Sequence, residues 1–228
     1  MMATTEVLII GGGVMGSSIA YHLARQGRDV LVVERAEVAS EPAASWASAG
    51  GVRRQGRHPA EAALAREALA RWPTLDSELG AMTLFRQQGN LLVAENDTEA
   101  KQLVTFVREQ QAMGFSDVRW LDRGDLRALV SGIGAQVAAG SYSPADGQAD
   151  PAWTTRAFAA AAQRHGATYW TQTECHALLA ESGRVVGART TRGDVQAQKR
   201  SCSPRAHGAT RWPRPSDCAC PSRCAHCK

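Results

Sequence analysis

The stretch Val7-Leu8-Ile9-Ile10-Gly11-Gly12-Gly13-Val14-Met15-Gly16 decides the fold of this chain. A short apolar run leads into a glycine-rich turn, and the turn opens a helix. Gly11 permits a tight turn, Gly13 lets the backbone approach a phosphate without a Cβ atom, and Gly16 allows the helix to pack closely on its strand. The helix N-terminus then offers unpaired N–H groups and a partial positive charge to an anion. The pattern therefore predicts a site for the pyrophosphate of a dinucleotide.

The residues around this stretch strengthen the prediction, because a glycine pattern alone is weak. Residues 17–26 are typical of a helix that stops at Gly27, and residues 29–33 predict a second strand that ends at Glu34. A carboxylate at that distance from the glycines suits the two hydroxyl groups of a ribose. The alternative is that Glu34 is a solvated strand end with no ligand.

Length and composition place the chain among ordinary globular proteins. Its 228 residues can bury the core of one large domain or of two small ones. No apolar run approaches the length of a membrane span, and the N-terminus leads directly into the first strand without the pattern of a secretion signal. We therefore expect a cytoplasmic protein with no transmembrane segment.

Beyond the first two strands, apolar spacing and turn residues predict a mixture of helices and strands. The predicted helices cover residues 59–79, 97–113, 126–130 and 153–165. The predicted strands cover residues 82–86, 90–94, 118–121, 137–141, 168–172, 175–180 and 185–190. Asp97 and Asp122 are the expected N-caps of the second and third of these helices.

This order of elements predicts a nucleotide-binding α/β unit that is interrupted by a mixed segment. Residues 5–80 and 143–197 are assigned to the nucleotide-binding domain, residues 81–142 to a partial second domain, and residues 198–228 to a tail of different composition. A β-rich insertion is common in flavin enzymes and less common in simple nicotinamide dehydrogenases. An NAD(P)-binding dehydrogenase is the alternative.

Three stretches narrow the prediction further. Residues 9–34 contain the flavin version of the glycine pattern, and Ser45-Trp46-Ala47-Ser48-Ala49-Gly50-Gly51-Val52-Arg53 is a segment rich in Ser, Ala and Gly. The third stretch, Pro144-Ala145-Asp146-Gly147, precedes a helix that ends in Arg164-His165-Gly166. Together they resemble the D-amino-acid oxidase family, which includes glycine oxidase, sarcosine oxidase and dehydrogenase subunits, and D-amino-acid dehydrogenases. The resemblance covers most of residues 5–197.

The resemblance implies an α/β protein: a Rossmann-like FAD-binding domain with an inserted α+β substrate domain, incomplete at the C-terminus. It also implies FAD as the cofactor, a small amino acid or amine as the substrate, and oxygen or another carrier as the electron acceptor. In that chemistry a hydride passes from the substrate carbon to flavin N5, and the imine product is hydrolysed. The resemblance does not specify the substrate, or whether the flavin is covalently held.

The resemblance also assigns cofactor-binding positions. The pyrophosphate is assigned to Gly11, Gly13, Val14, Met15 and Gly16, and the adenosine ribose to Glu34 and Arg35. Five residues are expected to approach the phosphate and the flavin: Ser45, Ser48, Ala49, Gly50 and Gly51. Cys175 lies where the family has an apolar residue whose backbone meets the adenine, so its side chain is expected to pack. No catalytic residue and no metal ligand is assigned.

Several of these positions have a second interpretation. Residues 45–51 could be a flexible linker, and Asp146 and Asp150 most simply serve a turn and a helix cap. Four basic residues of one loop either line a carboxylate site or form a solvated charged surface: Arg53, Arg54, Arg57 and His58.

The tail departs from the rest of the chain in charge and in cysteine content. From Lys199 onward there are seven basic residues and one acid, a net charge of +6, whereas the remainder has 19 basic and 21 acidic residues. Five of the six cysteines also lie in the tail. The spacing Cys218-x-Cys220-x3-Cys224-x2-Cys227, with His207 and His226 nearby, suggests a zinc site but fits known ligand spacings imperfectly.

A shift of reading frame from about residue 198 explains this change better. Codons for residues 198–208 can, when regrouped by one base, read Glu-Ala-Val-Val-Leu-Ala-Ala-Gly-Ala-Trp. That is a buried strand followed by a turn of small residues, which the family places after a stretch like residues 190–197. On this interpretation the cysteines and the charge do not predict a metal or a nucleic-acid partner. We also expect the chain as written to lack a central strand, to fold poorly and to bind little FAD.

Overall fold

The structure is a computed structural model that describes residues 2–202, with side chains as far as Gln198. Its helices are α1 (Val14–Ala24), α2 (Ala44–Ala47), α3 (Ala62–Leu79), α4 (Asp97–Ala112), α5 (Arg123–Leu129) and α6 (Pro151–Arg164), with a 3-10 turn at Pro59–Glu61. Its strands are β1 (Ala3–Ile10), β2 (Val30–Val33), β3 (Gly51–Val52), β4 (Asn90–Ala94), β5 (Arg119–Leu121), β6 (Ala139–Ser143), β7 (Gly147–Gln148), β8 (Thr168–Trp170), β9 (Cys175–Glu181), β10 (Arg184–Thr190) and β11 (Gly193–Cys202). In the described part of the chain, no helix combines the length and the apolarity that crossing a membrane requires.

The described residues form two compact units. The first unit contains residues 2–49, 79–82 and 151–202, and the second contains residues 50–78 and 83–150. The glycine-rich turn therefore belongs to the first unit, and the turn-rich segment before α6 belongs to the second. The domain boundaries expected from the sequence, after residues 80 and 142, stay a prediction.

A six-stranded sheet forms the centre of the first unit as far as it is described, in the order β8-β2-β1-β11-β10-β9. The strands β8, β2, β1 and β11 run parallel, and β10 and β9 continue the sheet in antiparallel fashion. Leu8, Ile9, Val30 and Val32 are fully buried, as is typical of parallel strands that are covered on both faces. The α/β fold class predicted from the sequence is confirmed.

The helices α1 and α6 pack against each other in the first unit. The ring of Tyr21, which is 2% exposed, lies 5.9 Å from the ring of Phe158. Around this pair the buried positions carry small side chains, which let the two helices approach closely: Ala20, Ala24, Ala157, Ala161 and Ala162.

The turn between α1 and β2 depends on Gly27. Gly27 adopts a φ of +75°, a left-handed conformation that glycine tolerates best. Its N–H donates to the Ala24 carbonyl at 2.8 Å, and the N–H of Arg28 donates to the Leu23 carbonyl at 3.2 Å. These bonds satisfy carbonyls of the last helical turn, so the predicted end of the helix at Gly27 is confirmed.

The second unit contains an antiparallel sheet in the order β4-β6-β5 and a short pair of strands, β3 and β7. Its apolar core lies in two small clusters. One consists of Ala62, Val107, Phe115 and Val118, and the other of Leu121, Leu126 and Val137. The predicted cap of α5 is confirmed, because the Asp122 side chain accepts from the N–H of Asp125 at 2.8 Å.

Two local predictions in the second unit are wrong. Residues 82–86 form no strand, and only a bridge between Arg86 and Gln148 is present there among the described residues. Thr83 instead donates to Asp76 from its N–H at 2.8 Å and from its hydroxyl at 2.6 Å. These two bonds hold the segment in a conformation that is not extended. The cap of α4 is Asn96 rather than Asp97, since the Asn96 side chain accepts from the N–H of Glu99 at 2.9 Å.

The strand β11 lies at the position that was expected from the sequence to be empty. Its backbone pairs with β1, so that Val7 is opposite Arg200, Leu8 opposite Ser201 and Ile9 opposite Cys202. The expectation of a missing central strand is therefore wrong for the backbone. The composition of the strand is still unusual, because the printed frame supplies polar residue types next to the fully buried Leu8 and Ile9. The rest of the tail, which includes Cys218, Cys220, Cys224 and Cys227, lies outside the described residues.

The frame shift makes a prediction about the encoding DNA. We expect the source gene to have one base more near codon 198 than the printed frame requires, and this register to stay open and to encode Ala-Val-Val in place of residues 200–202. Sequencing the source gene across this point checks it. An intact printed frame in several independent clones would rule the shift out. The protein encoded by that DNA, here called the source-gene product, shares residues 1–197 with the printed chain in either case.

Candidate cofactor site

The glycine-rich turn joins β1 to α1 with almost no free space. Gly11 has a φ of +109° and its N–H donates to the Val33 carbonyl at 2.8 Å, which ties the turn to β2. A Cβ atom on Gly16 would lie 1.9 Å from the Gly11 carbonyl oxygen. Such contacts do not occur between real atoms, so the start of α1 beside this turn requires glycine at position 16.

The N-terminus of α1 is suited to a negatively charged group. Gly13 is the N-cap residue and has no side chain to cap the helix, and the first turn contains no acidic residue. The N–H of Val14 donates to the Ser45 hydroxyl at 2.9 Å, and Ser45 is 9% exposed. A hydroxyl satisfies this N–H without adding negative charge, so the helix dipole stays available to an anion.

Glu34 is fixed beside the glycine-rich turn at the end of β2. Its Oε2 atom accepts from the N–H of Gly12 at 2.6 Å, and its Oε1 atom accepts from the N–H of Ala36 at 3.1 Å. A carboxylate has about four acceptor positions, so two hydrogen bonds leave capacity for ribose hydroxyl groups. The structure thus brings Gly12, Ser45 and Glu34 together around the start of α1.

Ser17 completes the support of the turn and was not singled out from the sequence. It is fully buried, and its hydroxyl donates to the Gly12 carbonyl at 3.1 Å. The Gly12 N–H and C=O are thus both held by side chains, the former by Glu34 and the latter by Ser17. The available signal was a polar residue on the face of α1 that turns toward the sheet.

Tyr169 on β8 places a phenol next to Ser17. Burial raises the pKa of Tyr169 from 10.0 to about 12, and the Ser17 side chain opposes this shift. The Tyr169 oxygen is buried and has no hydrogen-bond partner within normal distance among the described residues. Burial therefore dominates the pKa, because Ser17 uses its own proton on Gly12.

Most of the remaining predicted residues of the first unit lie on its surface. Arg35, Ser48 and Ala49 are exposed, and Met15 is 64% exposed at the start of α1. Cys175 opens β9 and packs, partly buried, against the cluster that contains Leu8 and Val195, as was expected of its side chain. Among residues 2–202, no three metal-binding side chains come together.

In the second unit, Gly50 and Gly51 lie in an ordered segment. β3 pairs with β7, and the N–H of Ala149 donates to the Gly50 carbonyl at 3.0 Å. Ser45 lies in α2 and Gly51 in β3, which is unlike a flexible linker. In the basic loop that follows, Arg54 is buried and forms ion pairs with Asp117 and Asp146, whereas Arg53, Arg57 and His58 are exposed.

The residues present fit the ADP half of FAD. A turn without Cβ atoms and a helix N-terminus free of acids match the pyrophosphate, and a fixed carboxylate at the end of β2 matches the ribose. Comparison with known proteins agrees. The DAO family model, described as FAD dependent oxidoreductase, matches residues 6–201. The chain belongs to this family. The family prediction and FAD as its cofactor are thereby confirmed.

Three relatives illustrate the similarity. Glycine oxidase of Geobacillus kaustophilus (strain HTA426) is 30% identical over 202 residues, which cover 85% of the chain and 52% of that protein. The crystal structure of glycine oxidase from Bacillus cereus ATCC 14579 is 32% identical with a TM-score of 0.78, over 87% of the chain and 54% of its own. That of L-proline dehydrogenase from P. horikoshii is 26% identical with a TM-score of 0.79, over 89% and 53%. The chain thus spans about half the length of these relatives.

The close approach of α1 to the turn can be tested with Gly16→Ala in the source-gene product. We expect this change to weaken FAD binding at least about tenfold and to lower the midpoint of thermal unfolding, because the helix start must move. Titration of apoprotein with FAD and circular dichroism measure the two effects. Gly132→Ala is the matched control, since a Cβ there meets nothing within 4 Å. Equal effects of the two changes would contradict the prediction.

The buried phenol of Tyr169 predicts a loss of stability at high pH. The folded state holds the phenolic proton more tightly than the unfolded state, so stability is unaffected below the unfolded pKa of 10.0 and falls as pH rises toward about 12. Between about pH 9 and about pH 11 the loss amounts to about 1 kcal/mol. Urea unfolding at both pH values checks this, with Tyr169→Phe as the variant that lacks the titrating group. The same pH dependence in Tyr169→Phe would refute it.

Proposed function

We propose that the source-gene product oxidises an amino acid or a secondary amine with FAD. The observation that carries the proposal is the Glu34 carboxylate held on the Gly12 N–H beside an acid-free helix N-terminus, in a chain of the FAD-dependent family. When bound, FAD supplies the redox chemistry: the substrate carbon gives up a hydride to flavin N5, and water hydrolyses the imine product.

The chain's own contribution is binding and orientation. The N-terminus of α1 stabilises the pyrophosphate charge, and Glu34 accepts hydrogen bonds from the adenosine ribose. The Ser45 hydroxyl accepts from the Val14 N–H and would donate its own proton to a phosphate oxygen. Met15 and Arg35 are exposed and would be available to the bound dinucleotide. No described residue is assigned a catalytic step.

The substrate class is supported by the relatives. Glycine and L-proline, which their names contain, are amino acids with an amine next to a carboxylate. The electron acceptor is oxygen or another carrier, since the relatives include both an oxidase and a dehydrogenase. A cytoplasmic location is part of the same proposal and is checked by cell fractionation.

The 228-residue chain itself is proposed to be inactive. Its β11 continues in the polar residue types Lys199, Arg200 and Ser201 beside the buried strand β1. We expect the purified 228-residue chain to retain little FAD, whereas the source-gene product in the shifted frame is yellow and stoichiometrically flavinated.

A titration with cofactors tests the proposal and its nicotinamide alternative together. The source-gene product is expected to bind FAD and not NAD or NADP, and Glu34→Gln is expected to weaken FAD binding about tenfold, because a charge-assisted hydrogen bond is lost. Flavin absorbance and fluorescence report the binding. Glu41→Gln, at an exposed position, is the matched control. Tight binding of NAD without flavin would favour the dehydrogenase instead.

A further inference from the structure

A buried carboxylate in the second unit holds the backbone of a distant turn. Asp146 is fully buried, and its Oδ1 and Oδ2 atoms accept from the N–H groups of Arg54 and Gln55 at 3.1 and 3.2 Å. These bonds join residues 91 and 92 positions apart in the sequence. Asp146 therefore does more than shape its own turn, which was its simplest role from the sequence.

Gln55 fastens the same turn to the small sheet. Its side-chain amide donates to the carbonyl oxygen of Asn90 at 3.1 Å and to its Oδ1 at 3.0 Å, and its Oε1 accepts from the Ser141 hydroxyl at 2.6 Å. Asn90 begins β4 and Ser141 lies in β6, its neighbour in the sheet. Gln55 is fully buried, and its amide has partners on both strands.

The flanking residues of the turn are held as well. The side chain of Arg54 is 10% exposed, lies over the ring of Phe115 at 5.1 Å, and has its Nε 3.7 Å from Asp146. The N–H of Gly56 donates to the Oε1 of Gln110 at 3.0 Å. Burying so many polar groups costs free energy unless each finds a partner. A surface loop with no fixed position would not require these buried hydrogen-bond partners.

The hydrogen bonds of Asp146 also determine where β3 lies. Asp146 directly precedes β7, whose Gly147 and Gln148 pair with Val52 and Gly51. Gly147 has no room for a side chain, because a Cβ atom would lie 2.4 Å from the Arg86 carbonyl oxygen. One short segment thus holds both β3 and the residues that follow it.

We infer that Gln55 and Asp146 are positioning residues that fix the Gly50–Gly51 backbone for contact with the flavin ring. This inference rests on the proposed FAD function and on the family resemblance, which assigns Gly50 and Gly51 to the flavin. A backbone that is already ordered loses less conformational entropy when the ring binds. The residues proposed to bind the adenosine and pyrophosphate belong to the first unit, and Gln55 and Asp146 belong to the second.

Gln55→Met in the source-gene product tests the inference, with Gln88→Met as the matched control. Gln88 is exposed, and the hydrogen bonds that the structure shows for it use backbone atoms: its N–H donates to the Arg86 carbonyl at 3.1 Å, and its carbonyl accepts from the Tyr142 hydroxyl at 3.3 Å. We expect Gln55→Met to weaken FAD binding about tenfold and to leave ADP binding within about twofold of wild type, since only FAD contacts the turn. We also expect trypsin to cut after Arg53 and Arg54 about tenfold faster in the variant, because the anchored turn opens.

The outcomes separate the inference from the function on which it rests. If wild type binds ADP as tightly as FAD, the flavin function fails, and the trypsin rates alone decide whether Gln55 anchors the turn. Equal loss of FAD and ADP in Gln55→Met, or unchanged cutting by trypsin, overturns the positioning role. If Gln55→Met does not fold, Ser141→Ala removes one hydrogen bond of Gln55 and is expected to show the same FAD-specific effect at smaller size. An absence of any FAD-specific effect in Ser141→Ala then counts against the inference.

Discussion

The first unit depends on how closely α1 can begin beside the end of β1. A Cβ atom on Gly16 would lie 1.9 Å from the Gly11 carbonyl oxygen, so the helix can start there only because residue 16 has no side chain. This start brings the Gly12 peptide within 2.6 Å of Glu34 and 3.1 Å of Ser17. Because both polar groups of Gly12 are then held, the direction of the helix N-terminus is fixed. An anion bound there meets N–H groups that need no rearrangement.

The second unit fixes its important turn by different means. Its apolar core is divided between two small clusters, with four and three buried members, whereas one cluster on the six-stranded sheet has seven. The turn at Arg54 and Gln55 is held by buried hydrogen bonds, which specify geometry more narrowly than apolar contacts do. The specificity has a cost, since the Arg54 Nε has no hydrogen bond within the described residues.

The sequence predicted the features that depend on near neighbours in the chain. The glycine-rich turn, the stop at Gly27 and the Asp122 cap each involve residues a few positions apart, and all three are present. Residues 82–86 contain good strand formers, but Leu84 adopts a φ of +56° and Phe85 stacks on Trp72 at 5.3 Å. Those contacts come from α3, which local spacing cannot show.

The residues that sequence reasoning missed act over long separations. Gln55 reaches partners 35 and 86 positions away, and Asp146 reaches back 91 and 92 positions. Gln55 has no local signal beyond its residue type, because a buried glutamine and a surface glutamine look the same in a single sequence. Asp146 lies in the stretch Pro144-Ala145-Asp146-Gly147, which predicts a turn but not these distant partners. Only the pairing of β4 with β6, and of β3 with β7, brings their partners together.

The change of composition near residue 198 acquires a structural meaning from β11. A strand backbone can form with almost any side chains, since its hydrogen bonds use only N–H and C=O groups. A strand that is buried on both faces requires apolar side chains. The first part of β11 supplies two of them, the buried Val195 and Ala197. The polar residue types Arg200 and Ser201 follow at the positions opposite Val7 and Leu8. The change from apolar to polar residue types thus falls inside one strand. Segments that are joined during evolution meet instead in exposed linkers. A shift of reading frame has no such preference for linkers, and the regrouped codons continue the same strand in apolar residues.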